Sequence, residues 1–178
     1  MSRIVQLISN DGRSFSVPEE ICAASEHINN TLSISDQYET NPTLDLMLIN
    51  GANLEVIVEF MTMHATNPIT LVKPVDFTKL PKYANDFLNK TKMVSDNMQD
   101  LTNTEVSLLS LLYGASKLQI TVLKELIIAK ILDSVRNQNI NELHILFGLP
   151  ETHNINHAEL RNIHEKFAYA FESESESD

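Results

Sequence analysis

The sequence predicts an α+β fold in which a few strands come first and helices follow. Apolar and polar residues alternate near the start of the chain, around an Asp-Gly pair at residues 11–12, as they do in a hairpin of half-buried strands. From residue 53 onwards, apolar residues recur at spacings of three and four, which is the period of a helix. At 178 residues, with 43% hydrophobic and 21% charged residues, the chain fits one compact core with a helical appendage.

The predicted hairpin occupies the first seventeen residues. Its alternation directs four side chains inward, namely Val5, Leu7, Phe15 and Val17. Pro18 fixes a backbone angle that suits a first helical turn, so a short helix through Ala24 is expected. Ser25 is a candidate N-cap for a second helix that carries Ile28 and Leu32.

The middle of the chain contains one more strand and one more helix. A polar loop is predicted over residues 33–43 and a strand over residues 44–48. Asn53 is then expected to cap a helix with a single apolar stripe, formed by Leu54, Ile57, Val58 and Met61. Residues 65–82 contain three prolines and little helical periodicity, so they are predicted to be loop.

Two strongly apolar helices are expected over residues 106–118 and 122–135. The leucines of the first are too numerous for one face, which indicates a central core helix that is contacted on several sides. One core should therefore unite the hairpin and Leu46 with Leu109, Leu112 and Leu123.

Two last helices are predicted near residues 139–148 and 155–171, after a polar stretch at residues 136–139. The first has an apolar stripe of Leu143, Leu146 and Phe147, and the second has one of Leu160, Ile163 and Phe167. The core pattern is complete before Arg136, so a partner helix is expected to cover these stripes. The alternative is that the stripes fold back onto the core. The predicted divisions are a domain at residues 1–135, helices at residues 136–172 and a disordered acidic tail at residues 173–178.

The charge of the chain limits the classes of partner. It has 24 acidic and 13 basic residues, and a net charge of -11 disfavours binding to nucleic acid or to anionic membranes. No apolar run approaches the roughly 20 residues that span a bilayer, and the first residues lack the features of a signal peptide. A cytoplasmic or nuclear location, or both, is expected.

The residue types that carry chemistry are sparse. Cys22 is the only cysteine and lies among apolar neighbours, which indicates a buried structural thiol. Its spacing of five from His27 does not place the two side chains on one helical face. The spacing of His153, His157 and His164 invites a metal hypothesis, but their neighbours are ordinary solvent-facing residues. No enzymatic activity, metal site or cofactor is predicted.

Six segments in order resemble the Skp family of ubiquitin-ligase adaptors, which have a BTB/POZ fold. They are residues 5–22 (VQLISNDGRSFSVPEEIC), 44–65 (LDLMLINGANLEVIVEFMTMHA), 81–88 (PKYANDFL), 111–127 (LLYGASKLQITVLKELI), 139–149 (NINELHILFGL) and 157–167 (HAELRNIHEKF). The resemblance implies a BTB/POZ-like domain followed by two C-terminal helices. It also implies a non-catalytic adaptor that links F-box-type substrate receptors to a cullin scaffold.

The resemblance assigns two sets of site residues. The F-box-partner-binding residues would be Leu143, Leu146, Phe147, Leu149, Leu160, Ile163 and Phe167. The cullin-facing residues would be Ser116 and Lys117, which stand where the family has Asn-Tyr. Because lysine replaces a rigid aromatic side chain, cullin docking is expected to be weaker than in a typical Skp protein. The chain also has about a dozen additional residues near positions 89–100, which are predicted to be loop.

Two other functions remain open. The chain could be a divergent BTB/Skp-like protein that acts in a structural or oligomeric assembly without binding a cullin, and a weak homodimer fits that alternative. The second alternative is a hydrolase or a metal-dependent enzyme, and only the histidines support it.

Overall fold

The structure is a computed structural model that describes residues 3–34, 41–93, 106–136 and 138–147. The chain divides into two compact units, residues Met1–Gly148 and Leu149–Asp178, and every described residue belongs to the first. The predicted α+β class is confirmed, because the described residues form three strands and seven α-helices. In chain order these are β1 Ile4–Ser9, β2 Ser14–Pro18, α1 Glu19–Cys22, α2 Glu26–Ile34, β3 Thr43–Leu46, α3 Gly51–Thr66, α4 Lys82–Lys90, α5 Leu108–Lys117, α6 Thr121–Val135 and α7 Ile140–Leu146.

The three strands form one sheet in the order β2-β1-β3. Strands β1 and β2 are antiparallel with Leu7 opposite Phe15, whereas β3 runs parallel to β1. The hairpin prediction is confirmed: Gly12 has a φ of +79°, a left-handed conformation that glycine adopts without steric cost. Of the four side chains predicted to face inward, Val5, Leu7 and Val17 are buried, while Phe15 is half-buried beneath the Arg13 guanidinium.

The turn of the hairpin is fixed to the start of α3. The Asp11 carboxylate accepts a hydrogen bond from the Ser9 hydroxyl and another, at 2.8 Å, from the backbone N–H of Gly51. The hydrogen bond from Ser9 is the main cause that holds the pKa of Asp11 below its usual value. An anionic side chain at the first turn of a helix is also favoured by the helix dipole.

Ser25 is the N-cap of α2, as predicted. Its hydroxyl accepts a hydrogen bond from the backbone N–H of Ile28 at 3.2 Å, and Ile28 and Leu32 are buried. The same hydroxyl donates to the carbonyl of Leu118, just after α5. Helix α1 ends at Cys22, two residues before the predicted end, because the N–H of Ser25 bonds back to the Cys22 carbonyl and turns the chain.

Strand β3 is shorter than the predicted strand over residues 44–48. It ends at Leu46, and the N–H of Ile49 donates to the Leu46 carbonyl at 3.0 Å, which turns the chain out of the sheet. Met47 and Leu48 consequently lie in this turn and are exposed. The prediction for the cap of α3 was also wrong by one helical turn, since Asn50 is the N-cap and Asn53 is its hydrogen-bond donor.

A buried polar chain joins the starts of α3 and α5. Asn50 Oδ1 accepts from both the backbone N–H and the side-chain amide of Asn53, at 2.8 and 2.9 Å. The Ser110 hydroxyl then donates to Asn53 Oδ1 at 2.8 Å. Ser107 and Ser110 form a reciprocal capping box at the start of α5, which explains why this helix begins at Leu108 and not at residue 106.

One core contains residues from the sheet and from six helices, as predicted. Val5, Leu46 and Leu123 are among its buried members, and Leu112 packs against it while half-buried. Leu109 was wrongly predicted as a core residue and is only half-buried, because Leu108 and Leu111 take the inward face of α5. Helix α5 also approaches α3 closely, since a Cβ on Gly114 would lie 2.7 Å from Ile57 Cδ1.

The segment between α3 and α4 is loop, as predicted, except for one 3₁₀ turn at Phe77–Lys79. His64, in the last turn of α3, has its ring stacked on Phe60, and its Nδ1 accepts a 3.2 Å hydrogen bond from the N–H of Ile69 in the loop. Further along, Lys73 forms a salt bridge of 2.8 Å with Glu125 of α6. These contacts hold the loop against both helices.

The predicted loop over residues 89–100 begins later than expected, because α4 continues to Lys90. The carbonyl of Lys92 accepts a 2.8 Å hydrogen bond from the N–H of Leu108, and Lys92 and Ser107 form a β-bridge. Lys92 and Ser107 therefore lie side by side. Residues 94–105 lie outside the described part of the chain.

We predict that Asn53 and Ser110 are energetically coupled. Ser110→Ala leaves the buried Asn53 Oδ1 without the hydroxyl that donates to it, and Asn53→Ala removes the buried amide that bonds to both Asn50 and Ser110, so each single change should lower the free energy of unfolding by about 1 to 3 kcal/mol. In a double-mutant cycle monitored by chemical denaturation, the coupling energy should exceed about 0.5 kcal/mol. The exposed Ser14–Gln6 hydrogen bond is the matched control, and equal coupling in both pairs would show that the buried chain has no special role.

We also predict an acid-sensitive contribution from His64. Burial lowers the pKa of His64 below its ordinary value of 6.5, so the unfolded chain takes up this proton at a higher pH than the folded chain. The contribution of His64 is thus fully present above pH 6.5 and declines as the pH falls towards the folded-state pKa. Denaturant unfolding between about pH 7.5 and 5.5 should show a shallower pH dependence for His64→Phe, and an unchanged slope would contradict the assignment.

Candidate partner-binding surfaces

Helix α7 is short and strongly capped. Asn139 Oδ1 accepts from the N–H groups of Asn141 and Glu142, at 3.0 and 3.1 Å. Glu142 returns the contact by accepting from the N–H of Asn139 at 2.8 Å. This reciprocal box satisfies donors that the start of a helix otherwise leaves free, so a seven-residue helix forms directly after the polar stretch.

No residue of α7 is buried. The predicted stripe of Leu143, Leu146 and Phe147 is half-buried, so this face has neighbours but keeps some accessible surface. Two other residues of α7 are more exposed than the sequence indicated: Ile140 is 67% exposed and Ile145 is 80% exposed. The other residues predicted for the same site, Leu149, Leu160, Ile163 and Phe167, lie outside the described part of the chain.

Helix α6 contributes exposed apolar residues that the sequence reasoning missed. Leu123, Leu126 and Ile127 are fully buried, but Ile128 is 38% exposed and Leu132 is 60% exposed. These last two residues are four positions apart, so they share a face of the helix. The signal was present in the sequence: residues 122–135 contain more apolar positions than one inward face can hold.

Polar contacts fix the flanks of α6. Its Glu125 bonds to Lys73 of the loop after α3, and its Lys130 donates to Asn89 Oδ1 of α4 at 3.0 Å. The buried side packs into the core between these contacts. Ile128 and Leu132 therefore remain accessible on a rigid helix, and together with Ile140 and Ile145 we call them the α6–α7 apolar residues.

The second predicted surface lies at the end of α5. Ser116 and Lys117 are both exposed, as an interface pair must be in the free protein. Sequence reasoning did not assign Tyr113, which is half-exposed one turn earlier, with the Lys117 ammonium 5.3 Å from the centre of its ring. The spacing of four between Tyr113 and Lys117 could have revealed the pair.

The one cysteine is buried and forms no disulfide. Burial, with a smaller contribution from Glu19, raises the pKa of Cys22 to about 11. The thiol therefore stays protonated at neutral pH, which confirms the predicted structural environment and opposes a nucleophilic role.

Two further observations concern other kinds of site. Among the described residues, no group of three or more His, Cys, Asp or Glu side chains is placed to hold a metal ion. His153, His157 and His164 of the metal hypothesis lie outside these residues. A search of the same described residues finds no helix with both the length and the apolar character needed to cross a membrane.

Truncation after Val135 should leave a folded domain that binds a partner helix more weakly, because Ile140, Ile145 and the predicted stripe are removed while Ile128 and Leu132 of α6 remain. The domain is expected to stay folded because α7 has no buried residue and, among the described residues, the buried members of the core all precede residue 128. Thermal unfolding followed by circular dichroism should keep one cooperative transition. A loss of cooperativity would mean instead that the C-terminal residues complete the core.

Comparisons with known proteins do not help to interpret these surfaces. No model of a known protein family matches the chain, and no curated protein is significantly similar to it. The α+β class and the positions of the two surfaces are therefore inferred from the structure of this chain alone.

Proposed function

We propose that the chain is a non-catalytic adaptor of the Skp type, with a BTB/POZ-like domain that links F-box-type receptors to a cullin scaffold in a ubiquitin ligase. The observation that carries this proposal is the set of exposed α6–α7 apolar residues, which come after Ile127, the last buried core residue among those that the structure describes. The resemblance of residues 139–149 and 157–167 to the family's C-terminal segments supports the same assignment.

The energetics favour binding through these residues. Burying a fully exposed large aliphatic side chain contributes about 1.5 to 3 kcal/mol. The four side chains available on α6 and α7 are 38% to 80% exposed, so each contributes part of that value. Association costs roughly 4 to 15 kcal/mol in lost freedom, so these residues can anchor a complex when polar contacts around them are also satisfied. Because α6 is held by the core and by its flanking polar contacts, its backbone needs little ordering on binding.

The shape of the surface favours a helical partner. Ile128 and Leu132 repeat at a helical spacing on a rigid helix, and such a ridge accepts an amphipathic helix with apolar residues three and four positions apart. An F-box-type segment has this character in the family that the sequence resembles. The acidic net charge of -11 favours a protein partner over nucleic acid.

Self-association through the same residues is the competing function. Exposed isoleucine and leucine side chains on neighbouring elements could equally pack against a second copy of the chain. Size-exclusion chromatography with light scattering, repeated with Leu132→Lys, separates the two proposals. A dimer that this change dissociates would support the oligomeric function, whereas a monomer before and after the change supports the adaptor.

We predict that Leu132→Ala and Phe147→Ala each weaken binding of an F-box helix peptide by about 1 to 4 kcal/mol, if both residues are anchors. The measurement is a fluorescence-anisotropy titration of the labelled peptide with the full chain. Met47→Ala is the matched control, because Met47 is similarly exposed, at 69% against 60% for Leu132, but lies in the turn after β3.

The measured affinities show which residues belong to the interface, and they also test the adaptor proposal itself. Unchanged affinity in Phe147→Ala alone would remove Phe147 from the interface. Equal losses in Met47→Ala and Leu132→Ala would indicate nonspecific apolar adsorption, and an unmodified chain that does not bind the peptide would contradict the adaptor proposal.

A further inference from the structure

Tyr113 and Lys117 form one composite contact on the exposed side of α5. The Lys117 ammonium lies 5.3 Å from the centre of the Tyr113 ring, within the range of a cation–π interaction. Tyr113 remains 48% exposed in this arrangement. The helix thus presents an aromatic surface and a positive charge side by side.

The backbone beneath this contact is fixed at both ends. At the end of α5, the Leu118 carbonyl accepts hydrogen bonds from the buried Ser25 hydroxyl and from the N–H of His27. At the start of α5, Ser110 is bonded to Asn53 of α3. A partner that binds here orders little backbone, and the ring already restricts the Lys117 side chain, so both entropic costs of binding are reduced.

The contact places a positive charge on a predominantly acidic molecule. The chain has a net charge of -11, which repels an acidic partner at long range. Within the part of the chain that the structure describes, the ion pairs involve Arg3, Arg13, Lys73 and Lys79, so the charge of Lys117 is not neutralised by a carboxylate there. Lys117 therefore offers a local place where a partner's carboxylate is attracted.

We propose that Tyr113 and Lys117 together bind the scaffold partner of α5, and that this partner presents a carboxylate to Lys117 and an apolar side chain to the exposed part of the Tyr113 ring. The inference rests on the proposed adaptor function. It changes the expectation from the sequence, because the aromatic area that Lys117 lacks is supplied by Tyr113 from one turn earlier on the same helix.

The test uses the full chain and an immobilised cullin N-terminal domain, with affinity measured by surface plasmon resonance. Tyr113→Ala and Lys117→Glu should each weaken binding at least about tenfold, as for an interface anchor. Tyr113→Phe keeps the ring and should remain within about threefold of the unmodified chain, because the aromatic area is retained. Lys90→Glu is the control, since it makes the same change of charge at an exposed position on α4.

Exchanging the charges of the two proteins identifies the carboxylate of the partner that contacts Lys117. Changing single acidic residues of the cullin domain to Lys should reveal one position that restores binding to Lys117→Glu while weakening binding to the unmodified chain. The loss caused by Lys117→Glu should also shrink as salt is raised, because exposed charges are screened.

Three outcomes would overturn the inference. The first is binding that neither Tyr113→Ala nor Lys117→Glu weakens, which leaves the adaptor proposal in place. The second is an equal loss in Lys90→Glu, which would show a general effect of net charge. The third is an unmodified chain that does not bind the cullin domain, and the F-box peptide titration on the same sample then shows whether the receptor-binding half of the proposed function survives.

Discussion

The fold depends on the buried polar chain that runs from Asn50 through Asn53 to Ser110 and Ser107. It satisfies free donors at the starts of two helices and joins those helices to each other in one set of hydrogen bonds. Buried polar groups are costly unless they are fully paired, and among the described residues no buried side-chain nitrogen or oxygen lacks a partner. These hydrogen-bonded side chains therefore fix the relative position of α3 and α5 more specifically than apolar packing alone would.

The position of α5 determines both candidate surfaces. Gly114 allows α5 to approach Ile57 of α3, and the Leu118 carbonyl ties the end of α5 to the start of α2. Tyr113 and Lys117 are then directed outward from a helix that is held along its length. Helix α6 follows directly, buries its inner face in the same core and leaves Ile128 and Leu132 exposed. Both surfaces thus belong to the same compact unit of the chain.

The sequence predicted a helix or strand well where its apolar period or its capping residue could be recognised within a short segment. The hairpin alternation, the Ser25 cap and the apolar stripe of α3 are each visible within a few residues. It could not choose between Asn50 and Asn53 as the cap, because that choice depends on where Ile49 turns the chain out of the sheet. Nor could it separate the buried from the exposed apolar residues of α6, since burial depends on which neighbours arrive from distant segments.

The bridge between Lys92 and Ser107 has a consequence for how the chain can vary in length. Because Leu108 bonds to the Lys92 carbonyl, the ends of the connection are already closed by the core. The entropic cost of closing a flexible connection grows only with the logarithm of its length, about 0.6 kcal/mol for each doubling. The two anchor points, Lys92 and Leu108, are therefore held together at a cost that depends only weakly on how many residues separate them along the sequence.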